Sequence, residues 1–446
     1  PVMPLTGKGV GGGTLVWTAV ALRMHPSDFR ARTLDGVGAD WPLTFEELEP
    51  YFAQVEREFG IAGPREGLHG FSGTACPLPA HPYSGLGRVL AAGAGKLGLG
   101  PQPGAMAINS RAYQGRPACI NCGFCIQGCI SDAKASAANT YIPEAERAGA
   151  RIVPKAFVHR LELDAQGRVA RALYFDAAGR EQEQRARTFV VTAHAIETPR
   201  LLLNSACGSF PQGLANSSGL VGRNFMVHPN VTVFGRFPFP LEAYRGFNLA
   251  NLVVQDFYAT DPKNGYARGF TLESVCYPPM GFAVTGSELW GAALKRLMRQ
   301  YVYCGGFWVC GEGVPNERNT ITLDPEVRDA FGVPVARITH EWSENDLAML
   351  EASIARSREI LEAAGAVEVF HGAYRSAHNM GTCRMGRDPA TSVVTPDCRA
   401  HDVPNLYICD TSVFVTAGGV NPTLTAMAIA QRAADRRVEA ARRLEL

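Results

Sequence analysis

The apolar positions change period several times along the chain, and each change marks an element. Phe45, Leu48, Phe52, Val55 and Phe59 recur at helical spacing, so TFEELEPYFAQVEREFG predicts a helix. Thr44 with Glu47 forms a capping box at its start, and Gly60 can end it. Residues 61–118 are rich in Gly, Pro and Ala and predict irregular chain. TYIPEAERAGA reads as a short helix. From 151 to 192 the apolar residues alternate or run together in RIVPKAFVHRLELD, RVARALYFD and TFVVTA. That predicts strands joined by polar turns such as Ala165-Gln166-Gly167. ETPRLLLNS then opens a helix, with Thr198 as N-cap and Pro199 at the first helical position. Residues 231–340 carry aromatics, prolines and short β-like runs, the pattern of an antiparallel sheet. SENDLAMLEASIARSREILEAAG predicts a long helix capped by Ser343, faced by Leu347, Leu350, Ile354 and Leu361, and ended by Gly365. The remainder mixes glycine-rich loops with a final helix.

Length and composition narrow this only a little. The 446 residues suggest two or three domains at roughly 150 residues each. Hydrophobic content of 46% suits a globular core, and a net charge of +1 gives no reason to expect nucleic acid, a membrane surface or an acidic substrate. No apolar run reaches about 18 residues, so no transmembrane helix is expected. The chain opens on PVMPLTGKGVGGGTLVW, which reads as a start in mid-domain. Of twelve cysteines, eight are scattered and predict buried small hydrophobes.

Four stretches carry chemistry. GKGVGGGTLVW has glycines at 7, 9, 11, 12 and 13, whose amides can approach a phosphate or a flat ring; a flexible loop suits the same residues. AHNMGTCRMG sets His378 before a tight glycine turn. NLYICDTSVFVTAGGVNPTLTAMAIAQRAA gives an apolar strand ending in Asp410, a loop, and Asn421–Pro422 opening a helix. An acid at a strand end and a helix N-terminus suit a bound phosphate or ring carbonyl. CINCGFCIQGC places Cys119, Cys122, Cys125 and Cys129 as C-x2-C-x2-C-x3-C, the bacterial ferredoxin spacing, although Ile130 stands where ferredoxins have Pro. An iron–sulfur cluster, plain thiols or a disulfide, and zinc all stay open.

Together these pieces resemble the glucose–methanol–choline (GMC) family of FAD-dependent oxidoreductases. GGGTLVW is similar to the family's first signature, the loop over the flavin. AHAIETPRLLLNS resembles its second, with His194 where glycine is usual. HNMGTCRMG and DTSVFVTAGGVNPTLT resemble its C-terminal active-site and flavin segments. The resemblance spans essentially the whole chain and implies an α/β (α+β) fold. A Rossmann-like FAD/NAD(P)-binding domain is expected beside a substrate domain with an antiparallel sheet and helices. The expected boundaries are 1–230 for the FAD-binding domain with the cysteine loop 119–129, 231–370 for the substrate domain, and 371–446 for the returning FAD-binding part. The family's strand–GxGxxG–helix unit is not found in the sequence. The FAD-binding domain is therefore expected to be N-terminally truncated, with that unit upstream or on a partner chain.

The resemblance also assigns roles. His378 and Asn421 would face the flavin and the substrate hydroxyl, His378 as the base. Gly12, Gly13, Thr14 and Thr18 would line the isoalloxazine, Val158 would contact the adenine end, and Asp410 would sit by the ribityl-pyrophosphate. Pro422 and Thr423 would approach the pyrimidine ring. His194 and His228 are further candidates near the site, and both read as structural. The implied activity is oxidation of an alcohol or sugar hydroxyl, with hydride transfer to FAD. Bacterial sugar dehydrogenases of the family that work with a cytochrome hold a [3Fe–4S] cluster on C-x5-C-x3-C, which Cys119, Cys125 and Cys129 match. Cys122 is then extra and leaves [4Fe–4S] open. Such a cluster would pass electrons to a haem protein or quinone on a partner subunit. The rival readings are an oxygen-reducing alcohol oxidase with structural cysteines, a non-enzymatic iron–sulfur electron-transfer subunit, and an inert fragment.

Overall fold

Five strands drawn from residues 232–371 form an antiparallel sheet in the order Glu368–His371, Thr232–Arg236, Cys304–Gly311, Phe270–Val275, Leu249–Val254. The computed structural model describes residues 6–64, 75–285 and 288–443; the opening PVMPL lies outside the described residues. The last three strands of that order are buried at every position, so side chains alternate between two covered faces. One face is apolar: Val233, Leu252, Phe270, Leu272, Phe307 and Val309 pack under the helices Gly85–Lys96 and Glu344–Ala363. The other face carries Thr232, Thr271, Glu273, Trp308 and Cys310. In register, Glu273 stands opposite Trp308, and Trp308 opposite Thr232. Buried polar groups on one face of a sheet are costly unless something meets them.

The helix Phe45–Phe59 has the expected capping box between Thr44 and Glu47 and ends at Gly60 with φ 66°. The helix Glu344–Ala363 starts from Ser343 in a box with Asp346. Its inward face differs by one position from the sequence pattern. Leu350, Ile354 and Leu361 are buried, but Leu347 is 39% exposed. Met349 is fully buried instead, lying over Gly311, where a Cβ would come within 2.6 Å of its methyl.

A helix also forms at Gly85–Lys96, inside the stretch that reads as irregular. Ser84 caps it by accepting from the Gly87 N–H at 3.1 Å. Its glycines hide it from periodicity and are also what let it pack. A Cβ at Gly87 would sit 2.5 Å from Asn251 Oδ1, and one at Gly93 would sit 2.5 Å from the Ile360 carbonyl oxygen. The helix around ETPRLLLNS begins earlier than expected, at His194, with Pro199 inside it. Asp410 accepts the His194 N–H at 2.9 Å, so a distant carboxylate caps this end. Pro199 cannot donate to the Ala195 carbonyl. The Thr382 hydroxyl donates to that oxygen instead, at 2.9 Å.

The remaining elements frame the sheet. Phe157–Leu163, Val169–Phe175 and Glu181–Arg185 form an antiparallel meander whose first turn uses Gly167 at φ 75°. Phe189–Val191 pairs in parallel with Leu406–Ile408, and the final helix Thr423–Arg442 packs on Phe45–Phe59. Met226–Asn230 pairs with Arg375–Met380, with a register shift between Ala377 and Met380. No helix among the described residues is long and apolar enough to cross a membrane. Of the scattered cysteines, Cys276, Cys304, Cys310, Cys383 and Cys398 are buried.

The glycine contacts make a stability prediction. Gly93→Ala gains up to about 1 kcal/mol of helix propensity but forces a methyl onto the facing helix backbone, an overpacking cost of about 1–3 kcal/mol. A net loss of stability in denaturant titration is expected; a more stable variant would show that this helix pair can spread.

Candidate active site

His378 sits in the bulge of the Arg375–Met380 strand at φ 58°, a conformation few non-glycine residues adopt. Its Nδ1 lies 2.8 Å from Nδ1 of His228, on the neighbouring strand Met226–Asn230. His228 is fully buried, and its Nε2 donates to the Gly418 carbonyl at 2.7 Å. Cys310 Sγ approaches His228 Nδ1 at 3.5 Å. The Trp308 ring meets His378 edge-on at 5.7 Å. His378 is half-buried, and its Nε2 has no hydrogen-bond partner among the described residues. Burial holds both imidazoles below the ordinary range, His228 at about 4. For His378, the neighbouring His228 adds to the same direction. Both are neutral near pH 7.

Asn421 reaches the same sheet face from the C-terminal side. It is buried, and neither its Oδ1 nor its Nδ2 has a partner. Glu273 faces it: a fully buried carboxyl, near the amide, without a hydrogen bond of good geometry. Burial pushes Glu273 well above the usual carboxyl range, so it is held as the neutral acid. Pro422 precedes the helix Thr423–Arg442, whose first turn has no side-chain cap, and the buried Thr425 hydroxyl is also unpartnered. Open helix N–H groups, an orphan amide and an orphan hydroxyl together fit an electron-rich ring edge or an anion.

The other sequence-predicted residues fall in two places. Gly12 and Gly13 form a short turn, Gly12 at φ 56°, and a Cβ on either would meet nothing within 4 Å. Such an open cradle fits a flat ring. Thr14 is fixed by donating to the Gly11 carbonyl at 2.6 Å and accepting the Ala137 N–H at 2.9 Å. Thr18 is half-buried a few residues on. Asp410 ends the parallel pair and accepts from His194 N, Thr198 Oγ1 and Ser412 N at 2.5–2.9 Å. His194 has φ 82°, which accounts for glycine being usual there, and its Nε2 lies 3.3 Å from the amide of Asn379, beside His378. Val158 is 40% exposed on the meander, where it pairs with Tyr174, and is not among the residues that contact the histidine pair.

No motif in the chain points to what holds the loop before Asn421. Arg268, only 2% exposed, bonds Asp28, Asp35 at 2.6 Å and Glu312 at 2.8 Å. Tyr258 stacks on His25 at 3.6 Å, donates to Asp28 at 2.5 Å, and accepts the Gly419 N–H at 2.9 Å. The Thr416 hydroxyl donates to the Asp28 carbonyl, and Thr271 donates to the Gly419 carbonyl. Residues 416–419 are thereby tied to the N-terminal segment and to the sheet. Burial, with Glu312 nearby, raises Asp28 to about 7.

In the cysteine loop, three sulfurs face backbone N–H groups. Cys119 faces Asn121 at 3.3 Å, Cys129 faces Lys134 at 3.4 Å, and Cys125 faces the Asn248 N–H. Cys122 has no such bond among the described residues. Lys134 is buried beneath Cys125 and Cys129, its Nζ donating to the Leu15 and Trp17 carbonyls. No three of these sulfurs converge within 4.8 Å. A single zinc ion, with Zn–S bonds of about 2.3 Å, needs that convergence, whereas a multi-iron cluster spreads its ligands over several metals.

Residues 1–230 and 315–430 each match a family model described as GMC oxidoreductase. The chain is 35% identical to 2-methyl-1,2-propanediol dehydrogenase of Mycolicibacterium austroafricanum, over 97% of the chain and 81% of that protein. It is 34% identical to the fructose dehydrogenase large subunit of Gluconobacter japonicus, over 96% of the chain and 80% of that relative. The crystal structure of pyridoxine 4-oxidase from Mesorbium loti shares the fold, with a TM-score of 0.70 at 19% identity, covering 97% of this chain and 84% of that one.

The ion cluster makes its own prediction. Arg268→Met leaves the buried carboxyls of Asp28 and Glu312, and the half-buried Asp35, without their cation and is expected to cost about 3 kcal/mol or more. Asp28 keeps its proton to about pH 7 in the folded chain but loses it near 3.8 when unfolded. Raising the pH through that window therefore weakens folding. Without Arg268, burial favours the protonated forms of Asp28 and Glu312, so the loss, followed by denaturant titration, is expected to grow from pH 5 to pH 8. A loss independent of pH would show that the carboxyls do not carry it.

Proposed function

The chain belongs to the GMC oxidoreductase family, and from that membership we propose that it is an FAD-dependent dehydrogenase acting on a hydroxyl of an alcohol or sugar. In this reading His378 accepts the hydroxyl proton and Asn421 holds the same oxygen. Residues 1–230 and 371–446 form the FAD side, and 231–370 the substrate side. The observation that carries the reading is a bare imidazole nitrogen and a buried amide without partners, both walled by the Glu273–Trp308 face of one sheet.

Bound FAD supplies the hydride acceptor. The chain's own residues do the rest. A neutral His378 withdraws the hydroxyl proton: the O–H bond breaks, an N–H bond forms at Nε2, and the electron-rich oxygen lets the adjacent C–H give up its hydride. Asn421 cannot titrate, so its amide serves to orient the oxygen. Glu273, held neutral, offers an O–H to that amide or to a second substrate hydroxyl. Gly12, Gly13, Thr14 and Thr18 would line the isoalloxazine, and Pro422 with Thr423 would meet its pyrimidine edge. Asp410 would sit by the ribityl-pyrophosphate and Val158 by the adenine end.

For the cysteine loop we favour a [3Fe–4S] cluster on Cys119, Cys125 and Cys129, passing electrons to a partner subunit such as a cytochrome. Support comes from the backbone N–H groups facing those three sulfurs and not Cys122, since such bonds tune cluster thiolates. The relative named as a large subunit works with others, which agrees with a partnered chain.

His378→Ala is expected to lower kcat by at least about 100-fold while flavin absorbance per chain is unchanged. Near-normal turnover would remove His378 from the chemistry. Cys125→Ser is expected to lose iron on analysis of anaerobically purified protein, yet still bleach its flavin when substrate is added. Unchanged iron and unchanged electron transfer to an acceptor dye would leave the loop structural and favour the oxidase reading.

A further inference from the structure

The two histidines form one hydrogen-bonded unit whose direction is fixed at one end. His228 Nε2 lies 2.7 Å from the Gly418 oxygen and 3.3 Å from the Ala417 oxygen, and a carbonyl can only accept. The proton of His228 therefore sits on Nε2. Burial keeps that ring neutral, so Nδ1 is a lone pair. His378 Nδ1, 2.8 Å away, must supply the proton between them. His378 then carries its proton on Nδ1, and its Nε2 is bare.

We infer that His228 is a positioning residue that sets the tautomer of His378, so that the substrate hydroxyl meets an unprotonated Nε2. The inference rests on the reading of His378 as the base. The reverse tautomer would present an N–H to the hydroxyl and could not take its proton. Nor is the pair a conduit. The unit ends on a carbonyl that accepts no proton, so the substrate proton stays on His378, and its Nδ1–H bond to neutral His228 becomes charge-assisted.

Two other readings of the cluster are weaker. Cys310 could donate S–H to His228 Nδ1, but that contact is 3.5 Å, a thiol is a weak donor, and the one lone pair is already met at 2.8 Å. His228, Cys310 and His378 also gather within 4.8 Å as a metal-binding set would. Two imidazole nitrogens each about 2.0–2.1 Å from a tetrahedral ion stand about 3.3 Å apart, so the 2.8 Å contact fits a shared proton better than a shared cation.

The test has two readouts. Holoenzyme labelled with 15N-histidine is examined at neutral pH by long-range proton–nitrogen correlation, with the two rings assigned from His378→Gln and His228→Gln. The expected pattern is Nδ1–H with bare Nε2 for His378, and Nε2–H with bare Nδ1 for His228; the opposite tautomer at His378 overturns the inference. In kinetics, His228→Leu is expected to lower kcat by about 100-fold with KM changed by less than about threefold. His228→Gln, whose amide can accept from His378 and donate to Gly418, is expected to recover most of that loss. Wild-type kcat in the leucine variant, or a glutamine variant as slow as leucine, means a merely structural histidine. If the leucine variant does not fold, the tautomer pattern of the wild-type protein decides alone. Activity persisting in His378→Ala would sink the base reading, and the tautomer measurement would still stand or fall by itself.

Discussion

Arg268 is buried among Asp28, Asp35 and Glu312, and those contacts join three parts of the chain that the sheet alone does not bring together. Asp28 and Asp35 come from the N-terminal segment, Glu312 follows the central strand Cys304–Gly311, and Tyr258 carries the linkage to Gly419. A buried guanidinium with its carboxyls is weak evidence for extra stability, since desolvation offsets much of the attraction. It is better evidence for placement. Apolar packing lets a loop slide, whereas directed charge-assisted bonds fix it to one position. The loop so fixed holds the Gly418 oxygen that receives His228 and leads directly into Asn421. The chemistry proposed for His378 therefore depends on a cluster that bonds neither His228 nor His378 directly.

The polar groups around that loop share a consistent electrostatic state. Glu273, His228 and His378 are each pushed toward their neutral form by burial. A site in which carboxyl and imidazoles are all uncharged can be buried on a sheet without counter-ions. It also meets an uncharged hydroxyl without first giving up a salt bridge. In the proposed reaction the charge gained by His378 would be new to the site and would fall beside neutral hydrogen-bonding groups rather than beside another cation.

Much of the frame was legible in the sequence, and the reasons are local. The capping box at Thr44 and the cap at Ser343 are read from a few residues each, and both form. The helix Gly85–Lys96 was not legible, because the glycines needed for close packing are the residues that erase a helical pattern. Leu347 and Met349 exchange places because the helix settles on Gly311, a tertiary contact that no heptad reveals. In the site, His378, Asn421 and Asp410 stood in motifs and could be named. Glu273, Trp308, Cys310 and Arg268 could not be assigned to the site, since each is one residue in a strand or loop, and His228, though a candidate near the site, read as structural. The faintest available signal was Glu273 itself: an acid in FTLESV, a run otherwise apolar or small, flanked by Leu272 and Ser274. A charged residue in a run that folds as a fully buried strand has to be met by something, and here it faces the Asn421 amide.

The cysteine loop is joined to this site by the same sheet. The Asn248 side chain donates to the carbonyls of Gly123 and Cys276, at 3.0 and 3.2 Å. Cys276 directly follows the strand that carries Glu273. Gly123, at φ 76°, has room for no Cβ, because the Tyr244 oxygen would lie 2.8 Å from it. The loop is thus pressed onto the sheet edge next to the strand Leu249–Val254, one strand away from the site-bearing one. On its outer side Ile120, Phe124 and Ile130 are exposed, Ile130 at 85%. Cys125 accepts from the Asn248 N–H at the edge of the sheet that walls the candidate site, while Cys119 and Cys129 are held by the loop's own Asn121 and Lys134 N–H groups. With apolar side chains left on its outer face, this arrangement agrees with the electron route proposed above.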